Sequence, residues 1–181
     1  MSNVIIGGNI IAAMTGGVFH TKPLARTVSG TSKLQASPAS ILAYYIINTL
    51  EEMTDESDGE DWPLYKASLP DGSNVKTNAG AVFDTVGMND QRSMDGGVPQ
   101  HPGIQLKIRS RDYETGYAKI EDIAHALDEV ANAEIEIDAL EYELQNVSRT
   151  SPIVCLGNEY STKRRFEFTI NFLLTIRELT G

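Results

Sequence analysis

The residues able to do chemistry are few, and their spacing keeps them apart. The sequence holds three histidines, His20, His101 and His125, and one cysteine, Cys155. His125 has Glu121 and Asp122 at helical spacing, but no H-E-x-x-H pattern surrounds it, so it reads as a surface or edge histidine. Cys155 beside a histidine would make a nucleophile and base. It follows Ile153 and Val154 in a β-like run, which reads instead as a buried, inert thiol. Glu134, Glu136 and Asp138 alternate along one side of a short segment. Acid and base catalysis by such carboxylates needs environments that split their pKa values, and alternation alone marks a solvated strand face. The acidic run EEMTDESDGED (51–61) is tested as a calcium loop with Gly59 as its glycine. The first ligand would then be Thr54 and the closing glutamate would be Tyr65, so a solvated loop is expected. No G-x-x-x-x-G-K-[ST] or G-x-G-x-x-G motif is present. The expectation is a chain with no catalytic residues, no cofactor and no metal, and so not an enzyme.

Composition narrows the class. At 181 residues the default is one compact domain plus an arm. A hydrophobic fraction of 41% suffices for a core, and 22% charged residues is ordinary. The net charge of −10 argues against a nucleic-acid surface, which needs clustered Lys and Arg. Lys163, Arg164 and Arg165 form one local basic run. A single cysteine excludes a disulfide framework within the chain. No apolar run is long enough for a membrane span, and the N-terminus lacks the pattern of a secretory signal. An intracellular or virion protein is expected.

The clearest periods lie side by side in Gly103–Val130. Ile104, Leu106 and Ile108 alternate with Gln105, Lys107 and Arg109, a strand with one face in a core. From Tyr113 the period changes: Tyr113, Tyr117, Ile120, Ala124 and Leu127 make one helical stripe, capped by Asp112 with Glu114 in the first turn. Ser37-Pro38 opens an earlier helix with Leu42, Ile46, Leu50 and Met53 as its stripe, and fraying is expected at Glu51 and Glu52. A strand is predicted over Trp62–Leu69, with Pro63 at its start or at a sheet edge. Turns are predicted at Pro70-Asp71-Gly72 and Asn78-Ala79-Gly80, with a strand over Ala81–Val86 between the second turn and a long loop, 87–102. Further strands follow at Ala133–Ile137 (an edge), through Tyr142, Leu144 and Asn146 alternating with Glu141, Glu143 and Gln145, and at Phe166–Ile176, with a brief apolar run at Ile153–Leu156 between the last two. The last is long enough to enter a neighbour's sheet. Residues 1–36 carry short apolar patches separated by glycine pairs. They read as a flexible tail or as an arm lying on a neighbouring subunit. The fold class is therefore α+β: a mostly antiparallel sheet with two helices packed on one face, plus an extended N-terminal arm (1–36) before the domain (37–181).

The stretch HPGIQLKIRSRDYETGYAK (101–119) resembles the tail terminator, or tail-completion, proteins of long-tailed bacteriophages. There a segment like HPGIQ-[LV]-x-[IV]-R leads into xDYExGYxKxxxI. Ser151-Pro152-Ile153, Leu156-Gly157 and the strand Arg165–Ile176 resemble that family's closing hairpin. The likeness spans roughly 37–177, with 103–127 its specific part, and the N-terminal arm departs from the pattern.

The resemblance implies a structural virion protein. Such proteins form a ring, generally a hexamer, that caps the tail tube, ends its polymerisation and joins the tail to the head connector. Expected partners are other copies of the chain, the tail tube protein and the head–tail connector protein, with no membrane and with DNA only passing through the channel. The acidic balance suits a wall that does not hold that DNA. Gln105, Lys107, Arg109 and Arg111, with Met94 and Val98 of the long loop, are the expected contact residues. Another neck, connector or tail-tube protein is the nearest alternative. A small enzyme using Cys155 or His125 is the alternative from a different class.

Overall fold

A computed structural model describes residues 34–58, 61–71, 75–88, 99–159 and 164–179, and the backbone of 5–6 and 9–10. Strands β1 (Ile5–Ile6) and β2 (Asn9–Ile10) pair antiparallel with each other in a sheet of their own. The main body runs α1 (Pro38–Asn48), β3 (Thr54–Asp55), β4 (Pro63–Lys66), β5 (Ala79–Met88), β6 (His101–Ser110), α2 (Tyr113–Asp128), β7 (Ala131–Ile137), β8 (Leu140–Arg149), β9 (Val154–Glu159) and β10 (Arg165–Leu179). The strands form one eight-stranded sheet in the order β3-β4-β5-β6-β10-β8-β7, with β9 also on β10. All pairings are antiparallel except β3–β4 and β4–β5, which are parallel.

The long terminal strand has its explanation inside the chain. Fifteen residues of β10 span about 50 Å. One edge pairs with β6 over Phe166–Leu173, and Gln100 extends that edge by bonding Ile176. The other edge is shared: β9 takes Arg165–Thr169 and β8 takes Phe172–Leu179. Strands β8 and β9 therefore lie in tandem along one edge, broken at Ser151-Pro152. The alternation read from the sequence sets the faces. Phe168, Ile170, Phe172, Leu174 and Ile176 are buried, facing Ile104, Leu106 and Ile108 of β6. Both helices cover this face. The Ser37 hydroxyl accepts from Ser40 N to cap α1, and Asp84 Oδ1 takes Ala39 N at 2.8 Å, tying the same end to β5. Asp112 caps α2 by accepting from Thr115 N.

Several local expectations are corrected. Asn78-Ala79-Gly80 is not a turn: Ala79 and Gly80 are buried in β5, opposite Arg109 and Ile108. Strand β4 is shorter than Trp62–Leu69; it is flanked on both sides, with Pro63 as its first residue. Helix α1 stops at Asn48, so Leu50 and Met53 pack from the segment beyond it. On α2, Tyr113 and Tyr117 are exposed, and Ile123 joins Ile120, Ala124 and Leu127 in the core. Gln145 is an extra residue in β8 opposite Thr175 and Ile176, which turns Asn146 outward and buries Val147. His101 opens β6 and bonds Thr175 Oγ1 through Nδ1 at 3.1 Å, so it does not belong to the long loop expected over 87–102. Gly87 and Gly103 sit where β5 and β6 approach most closely: a Cβ on either would fall within 2.3 Å of a carbonyl oxygen of the opposite strand.

The parallel pairing of β4 with β5 forces a crossover, and that connection shapes the second face of the sheet. It reaches as far as β10, where Asp71 pairs with the buried Arg165. Its Lys76 carbonyl accepts from Arg109 Nη2 at 3.4 Å. Residues 34–36 are likewise fastened: both oxygens of Glu178 accept from Gln35, and Tyr142 Oη accepts from Ala36 N. The expected arm, apart from these residues and the β1–β2 backbone, lies outside the described residues. Among the described residues no helix is long and apolar enough to cross a membrane.

Candidate functional site

The groups that could do chemistry stand apart. Cys155 lies on β9 opposite Phe168, and it is exposed, which corrects the buried reading. Neither helix packs over β9 as α2 does over β10, so the apolar run Ile153–Leu156 does not bury its thiol. His101 is at the other end of β10, beside Thr175. His125 is exposed on α2, with Nδ1 3.8 Å from Glu129 Oε1. His20 lies outside the described residues. Glu134 and Glu136 on β7, and Asp138 in the turn after it, are all exposed. Among the described residues, no three His, Cys, Asp or Glu side chains gather where a metal ion could be held. In the acidic run, Asp55 Oδ1 accepts from both the backbone N and the hydroxyl of Ser57, closing a local turn. Those two bonds hold the Asp55 carboxyl below the usual range.

The second face of the sheet carries the expected contact residues. Gln105 Nε2 donates to Asn171 Oδ1 at 3.3 Å, and Lys107 Nζ stands 5.3 Å from the centroid of the Phe83 ring. Thr169 and Arg109 share this face, as the cross-strand register requires. Arg109 does not belong to the open part of it. It is 1% exposed, because the β4–β5 connection crosses over its end of β6. Arg165 is buried by the same connection, so the basic run Lys163–Arg165 does not present its last member to solvent. Arg111 is exposed in the turn before α2, where its backbone N donates to Asn78 Oδ1. Met94 and Val98 lie outside the described residues.

Two exposed apolar corners were not anticipated. Val86 and Met88 end β5, 96% and 61% exposed. Val154 and Leu156 on β9 are about half exposed. The two corners are diagonally opposed. Met88 pairs with His101 at the Thr175 end of β10, on the β6 side, whereas β9 flanks Arg165–Thr169 on the other side. Near the β9 corner, Tyr113 and Tyr117 cover Phe168, and Tyr113 also meets Phe166 edge-on at 5.5 Å. Alternation marks a face, and it is silent on which strand lies at the rim. Only the pairing order exposes β9. No protein-family model matches the chain, and no curated protein sequence matches it.

Proposed function

We propose that the chain is a structural subunit that assembles into a ring of the tail-terminator kind, capping a phage tail tube and joining it to the head connector. The observation that carries this reading is the pair of diagonally opposed apolar corners, Val86–Met88 and Val154–Leu156. Unlike corners favour head-to-tail contacts, and such contacts close into rings when the rotation between copies permits. Exposed apolar side chains grouped at a rim suit contact with a protein partner. The likeness of the 101–119 stretch to tail terminators supplies the place of the ring. In this reading Gln105 and Lys107 lie on a contact face, and the acidic chain forms a channel wall that repels passing DNA.

Tail length in particles lacking the protein tests the role. Tails of irregular, extended length are the expected result, and tails of normal length would overturn it. Light scattering on the purified chain tests the ring itself: a closed assembly of about six copies is expected. A stable monomer at micromolar concentration would count against it.

A further inference from the structure

Among the described residues the main sheet has three free edges, on β3, β7 and β9, and that of β9 is the most open to a further strand. Strand β3 is two residues long, too short to hold a partner. Strand β7 carries the exposed carboxylates Glu134 and Glu136 and a left-handed Asn132 (φ 52°), features that blunt an edge. Strand β9 is kinked only in its second half, by a bulge at Leu156 and by Gly157 (φ 104°), and its one charge, Glu159, is its last residue. Val154, Cys155, Leu156 and Gly157 bear no charge and lie exposed, and among the described residues one edge of this strand has no neighbour in the sheet order. An exposed run that begins Val-Cys-Leu and bears no charge is a template for strand addition.

The sequence contains a matching strand. From Met1 to Thr21 there is no Asp, Glu, Lys or Arg, and Val4-Ile5-Ile6 and Ile10-Ile11 are β-branched clusters. Among the described residues, Ile5–Ile6 pairs with Asn9–Ile10, two residues a side, in a sheet separate from β9. A two-stranded ribbon of that size has little stability of its own. The chain is anchored at Gln35 by Glu178, at the far end of β10 from β9. The roughly 20 residues between Ile11 and Leu34 span up to about 70 Å, enough to reach an adjoining molecule.

We infer that the N-terminal segment around Ile5–Ile10 of a second copy adds to the free edge of β9 as a further strand. The ladder gains backbone hydrogen bonds along β9, and the arm's isoleucines cover Val154 and Leu156. Each copy then donates one arm and accepts another, a head-to-tail link that continues around an assembly. The inference gives an occupant to the Val154–Leu156 corner that the ring reading also uses, but it does not depend on the tail-capping role. Normal tail length would overturn that role and leave this contact untouched.

Cys155 supplies the test, being the chain's only cysteine and lying on the edge in question. Full-length Ile6→Cys/Cys155→Ala protein, isotope-labelled, is mixed with unlabelled wild type and treated with a short bis-maleimide. Neither chain can then cross-link within itself. The expected product is a heterodimer joining a labelled arm peptide to an unlabelled β9 peptide. Absence of the heterodimer, or homodimers through Cys155 alone, would overturn the inference. Leu156→Asp in the wild-type partner is expected to abolish the cross-link while leaving Tm unchanged, since the side chain is exposed. A cross-link that persists undiminished would place the arm elsewhere and equally overturn it.

Discussion

Arg165, wholly buried in β10, pairs Nη2 with Oδ1 of Asp71, a residue of the connection between β4 and β5. The pair pins the crossover to a strand three places along the sheet from β4. Its two members are not equivalent. Asp71 is mostly solvated, so water screens much of the attraction, but Arg165 has no water to return to. The guanidinium's desolvation therefore makes Arg165 the sensitive partner. Arg165→Ala should cost about 3 kcal/mol, a fall in Tm of roughly 6–12 °C. Arg165→Lys keeps the charge and loses the planar fork, and should fall between wild type and Arg165→Ala. Asp71→Asn should cost less than either. Thermal unfolding by circular dichroism measures all three. Wild-type Tm for Arg165→Ala would refute the pinning role.

Gly116 in α2 gives a prediction opposite in sign to helix propensity. Replacing a helical glycine by alanine ordinarily stabilises by about 1 kcal/mol. Here a Cβ would lie 2.6 Å from Phe168 Cε2 and 2.8 Å from Ser110 Cβ. The first neighbour is a packed ring and the second is fixed to the β6 backbone, so neither yields freely. Overpacking of this kind costs about 1–3 kcal/mol and outweighs the propensity gain. Gly116→Ala should lower Tm by a few degrees, and a raised Tm would show that α2 can lift from the sheet without penalty.

How much of this was legible before folding follows from which interactions are local. Ser37 and Asp112 cap the two helices as their types predict, because a cap involves only four consecutive residues. The faces of β6 and β10 follow from strict alternation. The type of Asp138-Ala139 hid the hairpin between β7 and β8: both residues have positive φ, 51° and 62°, without the Asn-Gly or Asp-Gly signature. The parallel β4–β5 pairing was invisible for a different reason. Nothing in PLYK fixes its direction, and a polar connection reads equally well as a hairpin turn. Arg109 and Arg165 looked solvated for the same cause, since the segment that buries them is remote in sequence. Of the expected contact residues, Gln105 and Lys107 share the open face, whereas the apolar corners depend on strand order.

Stability should fall at both ends of the pH scale, for separable reasons. Asp112 accepts from the N–H and hydroxyl of Thr115, and Asp55 from those of Ser57, and these bonds hold both carboxyls below their usual value near 3.8. Their contribution is complete above that value and is lost as pH falls through the lower folded-state values. Burial pushes Tyr142 above 10, with Glu178 and Asp138 adding to the rise and the bond from Ala36 opposing it; burial also raises Tyr45. The unfolded chain thus releases these protons first, so stability is full below pH 10 and declines above it. Tyr142→Phe should flatten the alkaline decline. It should also cost about 1 kcal/mol at neutral pH by leaving Ala36 N without its acceptor. An unchanged alkaline limb in urea titrations would assign the decline to other groups.

The corner formed by Val86 and Met88 allows assembly to be separated from folding. Both side chains are exposed at the end of β5, beyond the part of the strand that packs beneath α1, so changing them removes no core contact. Val86→Lys with Met88→Lys should shift stability by no more than about 0.5 kcal/mol. If that corner meets a neighbour, two ammonium groups there must be desolvated on contact, which a standard interface does not tolerate without partners. The double variant is then expected to fold with wild-type Tm and to show a lower assembled mass by light scattering. The decisive contrast is with Glu134→Lys/Glu136→Lys on the solvated β7 edge. Those substitutions change the net charge even more, and should leave the assembled mass unaltered. Equal effects from both pairs would mean that overall charge, and not the β5 corner, governs association.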